Sequence, residues 1–231
     1  MEPSMKATIG EALRKRVCAS SLSKVRVSDI TDELGINRNT FYYHFSSKFE
    51  VAGWTFLCQL SDELSNRLPA RQLVTVRFPA HASAPDELAY YTHVETGART
   101  LDFEEFFHGL ITCLLADRDY FGKLFSAQEP EFMRWASELW ANAAAADIDF
   151  TLSSRYMPDP TRNVISAMLG NTYASFAQWC LKNPDEAHAL LDPNVYPHWN
   201  ALHNALFATI QANPTSRSGS GLPSAFNPGW R

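Results

Sequence analysis

Residues 27–48 read Val-Ser-Asp-Ile-Thr-Asp-Glu-Leu-Gly-Ile-Asn-Arg-Asn-Thr-Phe-Tyr-Tyr-His-Phe-Ser-Ser-Lys. The pattern is that of two short helices joined at a glycine. Val27, Ile30 and Leu34 recur at helical spacing and turn one face inward. Ser28 is the expected N-cap, its hydroxyl accepting a free backbone N–H, and Asp29 suits the positive end of the helix dipole. Gly35 falls where the first helix must stop, because glycine takes the left-handed C′ conformation at little cost. Asn37 caps a second helix running from Arg38 to about His44. There Phe41 and Phe45 share the core face, which leaves Arg38, Asn39, Tyr42, Tyr43 and His44 outward or sideways. Ser47-Lys48-Phe49-Glu50 has the form of a capping box opening a further helix, with the Ser47 hydroxyl and the Glu50 carboxylate serving each other's backbone donors.

Neighbouring tyrosines on the polar side of a short helix are unusual for a surface that meets only water. Against DNA they have work to do: a hydroxyl for a phosphate, a ring edge for a thymine methyl. The pattern assigns Arg38, Asn39 and Tyr42 to base edges in the major groove, with Asn39 carrying the donor–acceptor pair that matches adenine. Ser28, Thr40, Tyr43, His44 and Lys48 are assigned to phosphates, which position a protein without reading sequence. Two readings compete: a helical hairpin in a core with the tyrosines packed inside, and a helical protein-interaction module that keeps the fold without binding DNA.

Asp29-Ile30, Leu34-Gly35-Ile36, Thr40-Phe41-Tyr42-Tyr43-His44-Phe45 and Lys48 resemble the signature of the TetR family of transcriptional regulators. The wording of residues 36–45 is similar to the DhaS-like branch. The resemblance covers residues 6 to about 60. It implies a homodimer on a palindromic double-stranded DNA operator, released or re-gripped when a small-molecule effector or a sensor protein engages the C-terminal domain. Repression is the commoner outcome in the family; the branch also allows a co-activator that works with a separate sensor protein. One departure is visible. Ser21-Leu22-Ser23-Lys24-Val25-Arg26 stands where a glycine–aromatic stretch is usual, so the first helix-to-helix connection is expected to differ.

Charge supports the same division. The 231 residues carry a formal net charge of -5. Yet residues 5–48 hold eight Lys/Arg against four acids, whereas residues 49–231 hold twelve against twenty. Positive charge is concentrated on the reading segment, and the acidic remainder is repelled by DNA. Cys18, Cys58, Cys113 and Cys180 are scattered without a Cys-x-x-Cys pair, which predicts reduced thiols. The N-terminus lacks the apolar run of a signal peptide, and no stretch approaches the roughly 20 apolar residues of a membrane span. The expectation is a cytoplasmic protein with no membrane partner.

The fold class expected is all-α. An N-terminal three-helix helix-turn-helix domain (1–48) precedes a larger helical regulatory and dimerisation domain (49–212). The tail, 213–231, is rich in Ser, Gly and Pro and is expected to be disordered. Helices are expected from about Lys6 to Ser20, with Ile9, Ala12, Leu13 and Val17 inward, and from Lys48 to about Leu68. Leu73–Phe78 and Ala89–Val94 are β-prone and predict a β-hairpin insertion, or a long ordered loop, near 73–95. Helices follow from Asp102, near Tyr120–Ala127, from Pro130 to about Ala146, from Arg162 to Leu181 after an interruption at Pro158 and Pro160, and from about Asn194 to Ala212. The last two long helices are apolar on more than one face, as a four-helix dimer interface requires.

No catalytic motif occurs: there is no Gly-x-Ser-x-Gly, phosphate loop or dinucleotide fingerprint, so no enzyme activity is expected. Glu104 and His108 lie one helical turn apart, but nothing nearby completes a metal site, and no metal or cofactor is expected. Phe106, Phe107, Phe132, Trp135 and Tyr173 are candidates to line a mostly apolar effector pocket.

Overall fold

In the computed structural model the described residues are 4–78, 86–97, 99–153, 155–192, 194 and 197–212. The proposed tail, 213–231, lies outside them. Helix α1 (Met5–Ala19) is capped by the Ser4 hydroxyl and buries Ile9, Ala12, Leu13 and Val17, the face expected from spacing. A 3₁₀ turn (Leu22–Lys24) leads to α2 (Val27–Leu34). Gly35 ends α2 with φ +64°, the left-handed conformation that a side chain would strain.

The Ser28 N-cap is corrected. The helix begins two residues earlier than expected, with Arg26 at the cap, so Ser28 sits inside the first turn. The Asp29 carboxylate turns back to accept from the Arg26 backbone N–H at 2.9 Å, replacing the hydroxyl cap. Asn37 caps α3 (Arg38–His44) as expected, its Oδ1 accepting from Thr40 N at 2.8 Å. Helix α4 (Lys48–Arg67) opens with the Ser47 hydroxyl accepting from Glu50 N. The Glu50 carboxylate accepts from Ser46 N rather than Ser47 N, one residue off the expected box.

The β-prone runs form β1 (Leu73–Phe78) and β2 (Asp86–Thr92), paired antiparallel from Leu73↔Thr92 to Phe78↔Asp86 with a bulge at Val74/Thr75. A second hairpin, β3 (Val94–Gly97) and β4 (Thr100–Asp102), follows at once. It was not foreseen; its four- and three-residue strands are too short to show a period.

The helical domain continues with α5 (Glu104–Ala116), α6 (Arg118–Leu124), α7 (Pro130–Leu152), α8 (Asp159–Lys182), α9 (Pro184–Ala189) and α10 (Pro197–Ala212). Helix α7 runs past Ala146 because Asp147, Ile148, Thr151 and Leu152 continue its buried face. Pro160 does not interrupt α8. It lies in the first turn, where a missing N–H costs nothing. The α4 side chain Phe56, fully buried, meets the rings of Phe121, Phe125, Phe132, Trp135 and Trp140 at 5.3–6.3 Å, mostly edge-on. One ring on α4 thereby joins α6 and α7. The four cysteines are free thiols, with Cys113 and Cys180 buried. Among the described residues no helix is long and apolar enough to cross a membrane.

Candidate nucleic-acid interface

Helix α3 is pinned from beneath and open above. Phe41 and Phe45 have no exposed surface, and their rings lie 6.4 Å apart. Ile30 is equally buried on α2, and Val27, Leu34 and Ile36 pack against the same core. This apolar wedge fixes the angle between the two helices. Arg38, Asn39, Tyr42 and Tyr43 are exposed, the tyrosines by 49% and 54%. Two large aromatic rings are therefore held in water beside a guanidinium and an amide, on a helix that cannot turn them inward. The Tyr42 ring stands edge-on to Phe41 at 5.4 Å, which limits its rotation.

The phosphate candidates divide. Ser28 is half-buried near the start of α2, beside exposed Lys24 and Arg26. Those two cations were not singled out from sequence, although they lie in the departing stretch 21–26 at the positive end of α2. Thr40 is half-buried, and its hydroxyl donates to Asn37 Oδ1 at 3.2 Å. His44 is half-buried; burial and then the nearby Lys6 ammonium push its imidazole below the usual range, favouring the neutral ring. The Lys48 ammonium donates to Ser23 O and Val25 O, both at 2.7 Å, so it braces the connection between α1 and α2.

That connection has a second brace. Glu129, only 2% exposed, accepts from Ser23 N at 2.8 Å and Ser23 Oγ at 3.0 Å. The departure at residues 21–26 has a structural use: Ser23 supplies a hydroxyl that ties the reading segment to the start of α7. Sequence gave no signal for the Glu129 partner, 106 residues away.

Phe106, Phe107, Phe132 and Tyr173 are at most 2% exposed and Trp135 is half-buried. Their rings pack on one another and on Phe56, Tyr91 and Trp140. A separate open groove of about 570 Å³ lies between α7 and α8, lined by Met133, Ser137, Ala141, Ala167, Asn171 and Ala174 among others, and by none of those five. No cluster of three or more metal-ligating side chains occurs among the described residues.

Comparison with known proteins bears on the reading segment. Residues 21–52 match the model of the bacterial regulatory proteins, tetR family. The reading head is TetR-like. The matched stretch takes in the 3₁₀ turn, α2, α3 and the first turn of α4, which is where the exposed tyrosines and their apolar wedge lie. No curated protein matches. Among solved structures, the dihydroxyacetone kinase operon activator DhaS is similar at 15% identity and a TM-score of 0.48, over 91% of this chain and 98% of that one. A TetR family transcriptional regulator from Chloroflexus aurantiacus is similar at 12% identity and a TM-score of 0.31, over 91% of this chain and 94% of that one. Both overlays are too loose to carry any residue across.

Proposed function

We propose that the protein is a dimeric transcriptional regulator that reads a palindromic DNA operator through α3. The observation that carries this reading is the outward face of α3, where Arg38, Asn39, Tyr42 and Tyr43 stand in solvent above a rigid apolar wedge. Arg38, Asn39 and Tyr42 read base edges; Tyr43, Thr40 and Ser28 hold phosphates, with Lys24 and Arg26 added to the field. His44 serves as a neutral donor, and Lys48 acts through the connection it braces, with its remaining N–H available to a phosphate. The concentration of basic residues before residue 49 supports an approach to DNA by that end.

Two copies of the chain meet through α8 and α10. Val164 and Met168 on α8 are 59% and 65% exposed, Trp179 is 36% exposed, and Leu206 on α10 is 39% exposed. An apolar surface on two terminal helices is what an isologous interface needs. The dimer presents two copies of α3 to half-sites about one helical turn apart, and an effector or sensor protein changes that spacing. The protein works as a ligand-responsive repressor. Binding of short duplexes as a function of salt tests the reading: log K falls by about 0.9 per phosphate neutralised per decade of salt. Salt-independent or absent binding points instead to a protein-interaction module.

A further inference from the structure

Strand β2 spans the distance between the reading head and the middle of the helical domain. At its start, Asp86 Oδ2 accepts from Lys6 Nζ on α1 at 2.6 Å and from the Trp54 indole N–H on α4 at 2.9 Å. The Lys6 side chain is 10% exposed and that of Asp86 36%, so the two form a part-buried ion pair. Trp54 in turn stands edge-on to Phe45, just after α3, at 5.6 Å. Halfway along, the Ala89 backbone N–H donates to Ser61 Oγ on α4 at 2.9 Å.

The far end enters a buried polar chain. Tyr91 OH donates to Asp147 Oδ2 on α7 at 2.9 Å and lies 3.4 Å from Tyr173 OH on α8. Tyr173 OH lies 3.2 Å from His203 Nε2 on α10. Just past the strand, His93 Nδ1 sits 2.9 Å from Asp147 Oδ1. Asp147 is 1% exposed and Tyr91 not at all. A single extended segment, roughly 23 Å long at the usual strand rise, thus has one end on α1 and on the α4 tryptophan that packs against Phe45, and the other on α7, α8 and α10.

Separating this part-buried ammonium from its carboxylate forfeits a charge-assisted hydrogen bond. The reading head therefore cannot tilt away from β2 unless Lys6 is stripped of its partner or the strand follows. The ladder to β1 and the buried side chains of Ala89, Tyr90, Tyr91 and Thr92 keep the strand from buckling. We propose that β2 is a strut that sets the tilt of the reading head, with Asp86 as the positioning residue. A displacement of α7, α8 or α10 at the Asp147–Tyr173–His203 chain is passed along it to Lys6 and α3. Only its consequence for operator binding rests on the DNA-reading proposal; the mechanical link stands without DNA.

The test is hydrogen exchange by mass spectrometry on the full chain, in a cycle of wild type, Asp86→Asn, Asp147→Asn and the double variant. Asn at 86 keeps an acceptor for Trp54 but removes the charge facing Lys6. Asp86→Asn is expected to speed exchange of residues 5–19 roughly three- to tenfold, the loss of one charge-assisted hydrogen bond. Asp147→Asn is expected to speed the same residues in the wild-type background and to add nothing there once Asp86 is gone. Unchanged exchange of residues 5–19 in Asp86→Asn, or an equal effect of Asp147→Asn with and without Asp86, overturns the strut. Lys6→Met removes the charge from the other end without leaving an unpaired ammonium; it must uncouple residues 5–19 from Asp147 in the same way. Selection of duplexes with varied half-site spacing separates the two proposals. An intact exchange cycle with no DNA selected by wild type leaves the strut and removes the DNA reading. Selected DNA with a failed cycle does the reverse.

Discussion

Gly170 offers the sharpest test of how α7 and α8 meet. A Cβ built there falls 2.1 Å from Ser137 O, 2.7 Å from Ala141 N and 2.9 Å from Ala141 Cβ. Two of those atoms are backbone, so no side-chain rotation relieves the clash. Two effects of opposite sign compete in Gly170→Ala. Replacing a mid-helix glycine gains about 1 kcal/mol of helix propensity. Reaching ordinary van der Waals distance requires the helices to part by about 1 Å, and overpacking a close-packed contact costs about 1–3 kcal/mol or more. Here the contact is the most extensive helix pair in the domain, and the obstacle is main chain, which places the cost at the upper end. The expected net loss of about 2 kcal/mol lowers the melting temperature by roughly 4–8 °C for a chain of this size. Gly122→Ala is the control. Gly122 is exposed on α6 and a Cβ there meets nothing within 4 Å, so the propensity gain stands alone and the melting temperature rises by about 2–4 °C. Scanning calorimetry on the three proteins decides. If Gly170→Ala melts at or above wild type, the close α7–α8 approach described here is wrong.

Asp147 holds His93 above the usual imidazole range by its hydrogen bond, and burial raises the Asp147 carboxyl itself. Both shifts mean that the folded state binds protons more tightly than the unfolded one. The His93 contribution is therefore full below the ordinary histidine value of 6.5 and is lost as pH rises through the raised His93 value, whereas that of Asp147 is full only below the ordinary aspartate value of 3.8 and is lost as pH rises through its own raised value. Melting temperature should fall from pH 6 to pH 8 by more in wild type than in His93→Gln; an equal fall in both would exclude a titrating His93. Glu129→Ala removes the acceptor of Ser23 N and Oγ and should destabilise the protein by roughly 1–3 kcal/mol, with faster exchange concentrated in residues 21–26. Exchange spread evenly over the chain would show that Glu129 braces nothing in particular. Arg38→Ala and Tyr42→Ala should each weaken specific DNA binding by roughly 1–3 kcal/mol without changing sedimentation, and mutants that bind as wild type would remove these side chains from the interface.

How much of this was legible in the sequence depends on the range over which each signal acts. Gly35, Asn37 and the Phe41/Phe45 pair announced α2, α3 and the turn between them, because caps and 3.6-residue spacing are local. The β-prone runs Leu73–Phe78 and Ala89–Val94 pointed to a hairpin or a long ordered loop for the same reason, and the hairpin formed. The second hairpin was hidden by its short strands, and α9 by its six residues. The Ser28 cap failed because two local solutions competed, and the Asp29 carboxylate serves the start of the helix better than a hydroxyl does. Lys48 read as a cation free to meet phosphate, since its two carbonyl acceptors become neighbours only when the chain folds. Long-range ties left no trace in sequence. Lys6–Asp86, Ser23–Glu129 and His93–Asp147 join residues 80, 106 and 54 positions apart. The aromatic residues proposed for an effector pocket showed a related ambiguity: a stripe that lines a cavity and a stripe that fills a core have the same spacing.

The central claim, that α3 reads DNA, is tested most directly by selecting genomic DNA fragments on the purified protein beside its Tyr42→Ala variant and sequencing what each retains. The account predicts enrichment of a palindrome with half-sites about one helical turn apart in wild type, and its loss or blurring in the variant. Retention of no preferred sequence at low salt, or the same palindrome retained equally by both proteins, would contradict it.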